Sequence, residues 1–246
     1  MSKLNFKPEI FFDLTRFPHR VIFKGIVNVW EVLPRIKEYL KENIKPNVSE
    51  IRHGRTMVEK TIILENGAVI HEGSFLMDDS IQLGSSVVIE PGALIYGPSI
   101  IGDGSVVRQG AYIRGAVIIG KNCVVGHTTE MKSAIMTGES KAGHFAYLGD
   151  SVVGKVNLGA GTKLANFKVT EDNINVLAEG NKISTGLRKF GAILGDGVST
   201  GCNSVTMPGT LLGKNCLLYP NTTARGFYAG LSIIKLNQSI GIKERK

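Results

Sequence analysis

The chain has no apolar run long enough to span a bilayer, although 43% of its 246 residues are hydrophobic. Its opening meets Asp13 and Arg16 before a signal-peptide core can build up, so a cytoplasmic protein without a membrane span is expected. Cysteine is scarce and odd in number at three, which points to free thiols packed in a reducing compartment rather than to disulfides. Neither an aromatic–basic RNA platform nor a basic recognition helix accompanies the net charge of +8. Nucleic acid is therefore set aside, and a phosphorylated small molecule is the expected anionic partner. The first fifty residues contain no glycine-rich phosphate loop and are too few for a nucleotide-binding α/β domain. His19, His53, His71 and His127 have no spacing that makes a metal site, so no metal is expected.

What is present is a period of six. From Met77 every sixth residue is apolar: Leu83, Ile89, Ile95, Ile101, Val107, Ile113, Ile119, Val125 and Met131. Four residues after each stands a small or β-branched one, from Ile81, Val87 and Ala93 through Cys123, Thr129 and Ile135. A helix needs a period of 3.6 and an ordinary strand a period of two. Six, with Gly, Asp, Pro and Ser between, is the signature of a parallel β-helix, each hexad a short strand and a corner. A hexad cannot bury its apolar residue alone, so stacked coils must share one continuous core. The fold class is thus all-β.

The frame slips after Met136 and again near Lys155, and altered corners gather near functional sites. Hexads vanish from 167 to 190, where a two-stranded arm with Gly180 at its tip is expected, and resume at Leu194. Residues 1–50 lie outside the repeat. They carry an aromatic start and a short amphipathic helix over Trp30–Leu40 with Pro34 in its first turn, and serve as a cap or a partner-facing segment. The expected division is a capping segment 1–50, a β-helix 51–224 and a solvated tail 225–246. Cys123 and Cys216 fall on small inward positions, Cys202 on a corner.

Spacing alone supports one site. If three hexads make a coil, residues 18 apart stack at ~4.8 Å, which would place Lys132 on Arg114. Two cations at ~5 Å repel by about 1 kcal/mol in water and about 3 at an effective dielectric of 20. An anion between them would relieve this; two solvated side chains pointing apart would too. His144, in a slipped hexad, is a structural histidine or the chain's candidate base, since an imidazole can accept a proton from an amine.

Three stretches, Glu130-Met-Lys, Lys141-Ala-Gly-His-Phe-Ala-Tyr-Leu-Gly-Asp and Asn157-Leu-Gly-Ala-Gly-Thr, resemble motifs of a known family. It is the C-terminal acetyltransferase domain of the bifunctional N-acetylglucosamine-1-phosphate uridyltransferase/glucosamine-1-phosphate acetyltransferases. The stretch from Leu164-Ala-Asn-Phe to Ser184-Thr-Gly-Leu-Arg-Lys-Phe-Gly-Ala is more similar to archaeal sugar-1-phosphate nucleotidylyltransferases carrying the same domain. The resemblance implies a left-handed β-helix, a homotrimer, and acetyl-CoA bound between subunits. It implies N-acetylation of an amino-sugar 1-phosphate, with glucosamine 1-phosphate first, within nucleotide-sugar and cell-wall biosynthesis.

By the same resemblance His144 takes the amine proton and Glu130 orients it or holds the ammonium. Arg114, Lys132 and Tyr147 meet the sugar phosphate, joined by Asn157, Asn166 and, across the arm, Lys189. Ala160, with Gly159 beside it, meets the coenzyme through its backbone, and Cys202 stands near the coenzyme. Where the bacterial family continues Asn-Tyr-Asp-Gly, this chain has Asn166-Phe-Lys-Val, which leaves the sugar open. The uridyltransferase half is absent from this sequence. Two other readings stand: a non-catalytic trimeric sugar-phosphate scaffold, and acyl transfer to another or a nucleotide-linked amino sugar. Hexapeptide carbonic anhydrases need three converging histidines. His127 and His144 are 17 apart, and no H-x4-H pair exists.

Overall fold

The structure is a computed structural model that describes residues 5–244; Met1–Leu4 and the last two residues of the basic tail, Arg245 and Lys246, lie outside the described residues. Three parallel sheets wrap one axis. The first runs from Val69–Ile70 through Val88–Ile89, Val106–Val107, Val124–His127, Lys141–His144 and Asn157–Leu158 to Ile233–Ile234, with Ile62–Ile63 added antiparallel at its start. The second includes Leu94–Tyr96, Tyr112–Arg114, Glu130–Lys132, Tyr147–Gly149 and Lys163–Leu164. The third includes Ser99–Ile101, Val117–Ile119, Ala134–Met136, Val152–Val153 and Ala192–Leu194. The periodic residues Ile89, Ile95, Ile101, Val107, Ile113 and Ile119 are buried in one core. Among the small inward residues, Ser105 accepts a bond from the Cys123 amide at 2.9 Å and donates to Gly120, so a polar atom is tolerated inside.

Register shows where the frame slips. Ile113 pairs with Met131, 18 residues on, but Val117 pairs with Ala134, 17 on. The residue is lost at the Lys132–Ser133 corner. Met136 pairs with Val153 at 17, whereas Ala142 pairs with Leu158 at 16, so the second loss falls at Lys155. Both shortened corners flank the coil that carries His144.

The third sheet is apolar on both sides. Its outward residues Ile100, Ile118, Ile135, Val152, Ile193 and Leu211 are buried under the N-terminal segment and the arm. Phe6 stacks on Trp30 at 5.4 Å and on Phe227 at 5.3 Å, and Trp30 meets Phe190 at 6.3 Å. Residues 5–44 therefore lie along a flank of the solenoid. Its open end is closed by 47–58, where Val48 and Val58 enter the solenoid core and Asn47 bonds both backbone groups of Leu83. The expected helix is split into a 3-10 turn over Val29–Arg35 and an α-helix over Ile36–Asn43. Pro34, inside the first piece, has no N–H to donate to a continuous α-helical ladder.

The arm pairs Asn175–Ala178 with Asn181–Ser184 around Glu179 and Gly180, both at positive φ. It folds down onto the third sheet, with Ile174, Val176 and Ala178 buried. The solenoid does not stop at residue 224, as the hexads suggest. Phe227–Tyr228 and Ile233–Ile234 pair with the preceding turn at a spacing of 16, and this compression hides them from a six-residue reading.

Candidate active site

At the corner between the first and second sheets each coil turns through one residue of positive φ: Thr128, Phe145, Gly161 and Asn203. The residue before each forms a column. The Phe145 amide donates to the His127 carbonyl at 2.7 Å, the Gly161 amide to His144 at 3.1 Å and the Asn203 amide to Ala160 at 2.8 Å. His127, His144, Ala160 and Cys202 are thereby stacked in one line, which brings together three residues expected at the chemistry. The His144 ring is exposed and makes no hydrogen bond among the described residues. Phe145, 52% exposed, holds φ of 35°, a conformation that costs a bulky residue energy and sits beside His144. Its ring packs over Gly161.

A side chain at Gly159 would collide with the backbone of Gly201 and Cys202, 2.5 and 2.7 Å away, so only glycine lets these coils approach. The next amide, that of Ala160, has no acceptor among the described residues. Ala160 follows His144 in the column, and a free N–H is the kind of donor that a developing oxyanion requires.

The second sheet carries the charges. Its outward positions form two columns, Tyr112–Glu130–Tyr147–Lys163 and Tyr96–Arg114–Lys132. Arg114 and Lys132 are stacked as their spacing requires. Each, however, is paired with a carboxylate of the protein. Arg114 donates to Glu130 at 2.7 Å, and the Lys132 ammonium lies 3.7 Å from Asp150. Asp150, 14% exposed, also accepts a bond from the Asn166 amide. Burial, then Glu130 and Asp150, push the Tyr147 phenol above its ordinary range. Hydrogen bonding to Glu130 strengthens the hold of the Arg114 guanidinium on its proton. Glu130 thus binds Arg114, not His144.

Both ends of the arm close on this cluster, since the Phe190 amide donates to Asn166 and the Gly191 amide to Asp150. Lys189, exposed, is thereby delivered next to Asn166. Asn157 stands apart, exposed on the outer side of the first sheet between Lys141 and Ser199. Asp150, the hub of the cluster, was not singled out from the sequence. It ends the Tyr-Leu-Gly-Asp stretch, and a carboxylate 18 residues after a stacked lysine, at a slipped corner, was the available signal. Among the described residues no group of three or more His, Cys, Asp or Glu side chains could hold a metal ion. A cavity of about 700 Å³ lies elsewhere, at the first turn, lined by Glu50, Arg52, His53 and Met57 among others.

Comparison with known proteins gives similarities over parts of the chain. Residues 80–115 match the family described as bacterial transferase hexapeptide (six repeats). The chain is 44% identical over 82 residues to a bifunctional sugar-1-phosphate nucleotidylyltransferase/acetyltransferase of Sulfurisphaera tokodaii, covering 33% of this chain and 20% of that protein. It is 36% identical over 83 residues to the bifunctional protein GlmU of Methanococcus vannielii, with the same coverage. With GlmU of Methanococcus aeolicus the identity is 32% over 108 residues, 44% of this chain and 26% of that one. The chain matches about a fifth of the length of the first two relatives. The chain contains hexapeptide repeats and, over about a third of its length, is similar to transferases of this kind.

Proposed function

We propose that this chain transfers an acetyl group from acetyl-CoA to the amine of an amino-sugar 1-phosphate, with glucosamine 1-phosphate as the reference acceptor. The observation that carries the reading is the interleaving of two cations, Arg114 and Lys132, with two carboxylates, Glu130 and Asp150, on the face that adjoins His144. A balanced site is poorly suited to a bare anion. It suits a substrate that carries an ammonium and a phosphate at once. The phosphate exchanges with the carboxylates for the cations, and Arg114 uses only one of its five donors on Glu130, leaving others for a phosphate oxygen. The released Glu130 takes the ammonium. The similarity to nucleotidylyltransferase/acetyltransferases supports the same choice.

In this reading His144 accepts the proton that the amine must lose to attack, and later returns it to the leaving thiol. Acetyl-CoA supplies the activated thioester. The Ala160 N–H faces the acyl oxygen as charge develops there, a contribution of about 3 kcal/mol in comparable sites. Tyr147 and Asn166 hold the sugar phosphate, Lys189 closes over it from the arm, and Asn157, Gly159 and Cys202 line the coenzyme side. These groups lie on an open face, so a neighbouring copy of the chain is the natural second wall, and the homotrimer is part of the proposal. In this reading the reaction takes place in the cytoplasm. Among the described residues no helix is long and apolar enough to cross a membrane.

Thiol release from acetyl-CoA, measured with glucosamine 1-phosphate, galactosamine 1-phosphate and nucleotide-linked amino sugars, tests the proposal. Turnover with one of these and none without an amine is expected. Binding of sugar phosphates with no turnover on any amine would make the chain a scaffold.

A further inference from the structure

The phosphate cluster ends in aromatic rings. Counting back from the coil of His144, the second sheet presents Tyr147, then Glu130 and Lys132, then Tyr112 and Arg114, then Tyr96. Tyr96 is the register partner of Arg114, and Tyr112 lies two residues before it on the same face. The two rings are 6.2 Å apart at 57°, and the Arg114 guanidinium stands 5.8 Å from the centre of Tyr112. Both tyrosines are exposed, at 36% and 39%. Their hydroxyls make no hydrogen bond among the described residues. Elsewhere the solenoid treats its outer surface differently. The third sheet is covered, and the first shows half-buried valines, Val69, Val88, Val106 and Val124, in the equivalent column. The aromatic pair occurs where the cations end.

Length decides what reaches it. Rungs are ~4.8 Å apart, so the Tyr96 rung lies ~14 Å from that of His144 and Tyr147. A sugar 1-phosphate with its amine at His144 extends over about two rungs and stops at Lys132 and Arg114. Resting on the reading above, we propose that the acceptor continues past its phosphate, and that Tyr96 and Tyr112 stack the base of a nucleoside diphosphate to which the amino sugar is attached. Aromatic side chains hold bases in this way with little sequence preference, and an arginine beside the ring adds to it. Coenzyme A also contains a nucleoside diphosphate. The column of Ala160 and Cys202, however, lies on the opposite side of His144 from the tyrosines, which assigns the platform to the acceptor.

The test is calorimetric binding to the full chain, with UDP and inorganic pyrophosphate as probes and coenzyme A as control. UDP should bind about tenfold more tightly than pyrophosphate. The double variant Tyr96→Leu/Tyr112→Leu should lose that tenfold while coenzyme A changes less than twofold. UDP binding no better than pyrophosphate overturns the proposal in the wild type alone, with no variant to fold. Loss of coenzyme A instead of UDP assigns the rings to the coenzyme and overturns it too. So does a change in solution mass with UDP affinity intact, which makes the pair a contact between copies. None of these readouts needs turnover, so failure of acetyl transfer would show separately in the thiol-release assay.

Discussion

Removing Lys132 is the perturbation whose sign the structure reverses. Stacked cations alone suggest that Lys132→Ala relieves repulsion and leaves the fold as stable or more so. In the structure the Lys132 ammonium lies 3.7 Å from Asp150, with side chains 19% and 14% exposed. The gross attraction at that distance is about 4 kcal/mol at an effective dielectric of 20. Desolvation offsets part of it, and truncation leaves a mostly buried carboxylate with Asn166 as its side-chain donor, a net loss of about 2 kcal/mol. For a chain of this length that is a fall in Tm of about 4–8 °C. The double variant Lys132→Ala/Asp150→Asn should recover most of the loss, because the uncompensated charge is gone. In the proposed function the same lysine contacts the phosphate, so KM for glucosamine 1-phosphate should rise about thirtyfold, the equivalent of about 2 kcal/mol. Affinity for coenzyme A should stay within twofold. Thermal melts of the wild type, Lys132→Ala and the double variant decide the first part. An unchanged or higher Tm for Lys132→Ala would refute the pairing, and equal losses for both substrates would make Lys132 merely structural.

Three further outcomes follow from packing and burial. Burial pushes the Cys123 thiol up to about 11 and raises Cys216 as well, while Cys202 is exposed; native alkylation should modify one cysteine quickly, and coenzyme A should protect it. A methyl at Gly126 would meet the Gly143 carbonyl oxygen at 1.8 Å, whereas one at Gly143 meets nothing within 4 Å. Gly126→Ala should therefore cost about 3 kcal/mol or prevent folding, and Gly143→Ala about 1 kcal/mol or less, by urea titration. Burial depresses the proton affinity of His19, bonded to Tyr39 at 3.0 Å. The unfolded chain protonates it first, near pH ~6.5, so stability holds above that pH and declines as pH falls below it. The drop in urea midpoint between pH 7.5 and 5.5 should be smaller in His19→Gln than in the wild type.

How much of this was legible follows from what each residue's period reports. Inward positions were plain because Ile89, Ile95, Ile101 and their kin answer to one core every six residues. The stacking of Arg114 on Lys132 followed from the same count. The covered flank was not read, although it was written in the doubled apolar residues of every third hexad: Ile100-Ile101, Ile118-Ile119, Ile135-Met136, Val152-Val153. A strand buried on both faces reads that way, and the aromatic start had to lie against it. The column of His144, Ala160 and Cys202 was hidden because 16 residues separate the first pair and the inserted arm separates the second; register across such breaks is set by corner hydrogen bonds. The carboxylate partners were missed for a different reason. Spacing gives adjacency along a column, whereas Glu130 and Asp150 reach their cations diagonally and around a shortened corner.

The most direct measurement of the central claim is steady-state acetyl transfer by the full chain and by His144→Ala, side by side, on whichever amino-sugar phosphate turns over fastest. The account predicts a loss of 10²–10⁴-fold in kcat for His144→Ala, with KM for acetyl-CoA nearly unchanged and the wild-type melting profile retained. Activity of the folded variant within about threefold of wild type would contradict it.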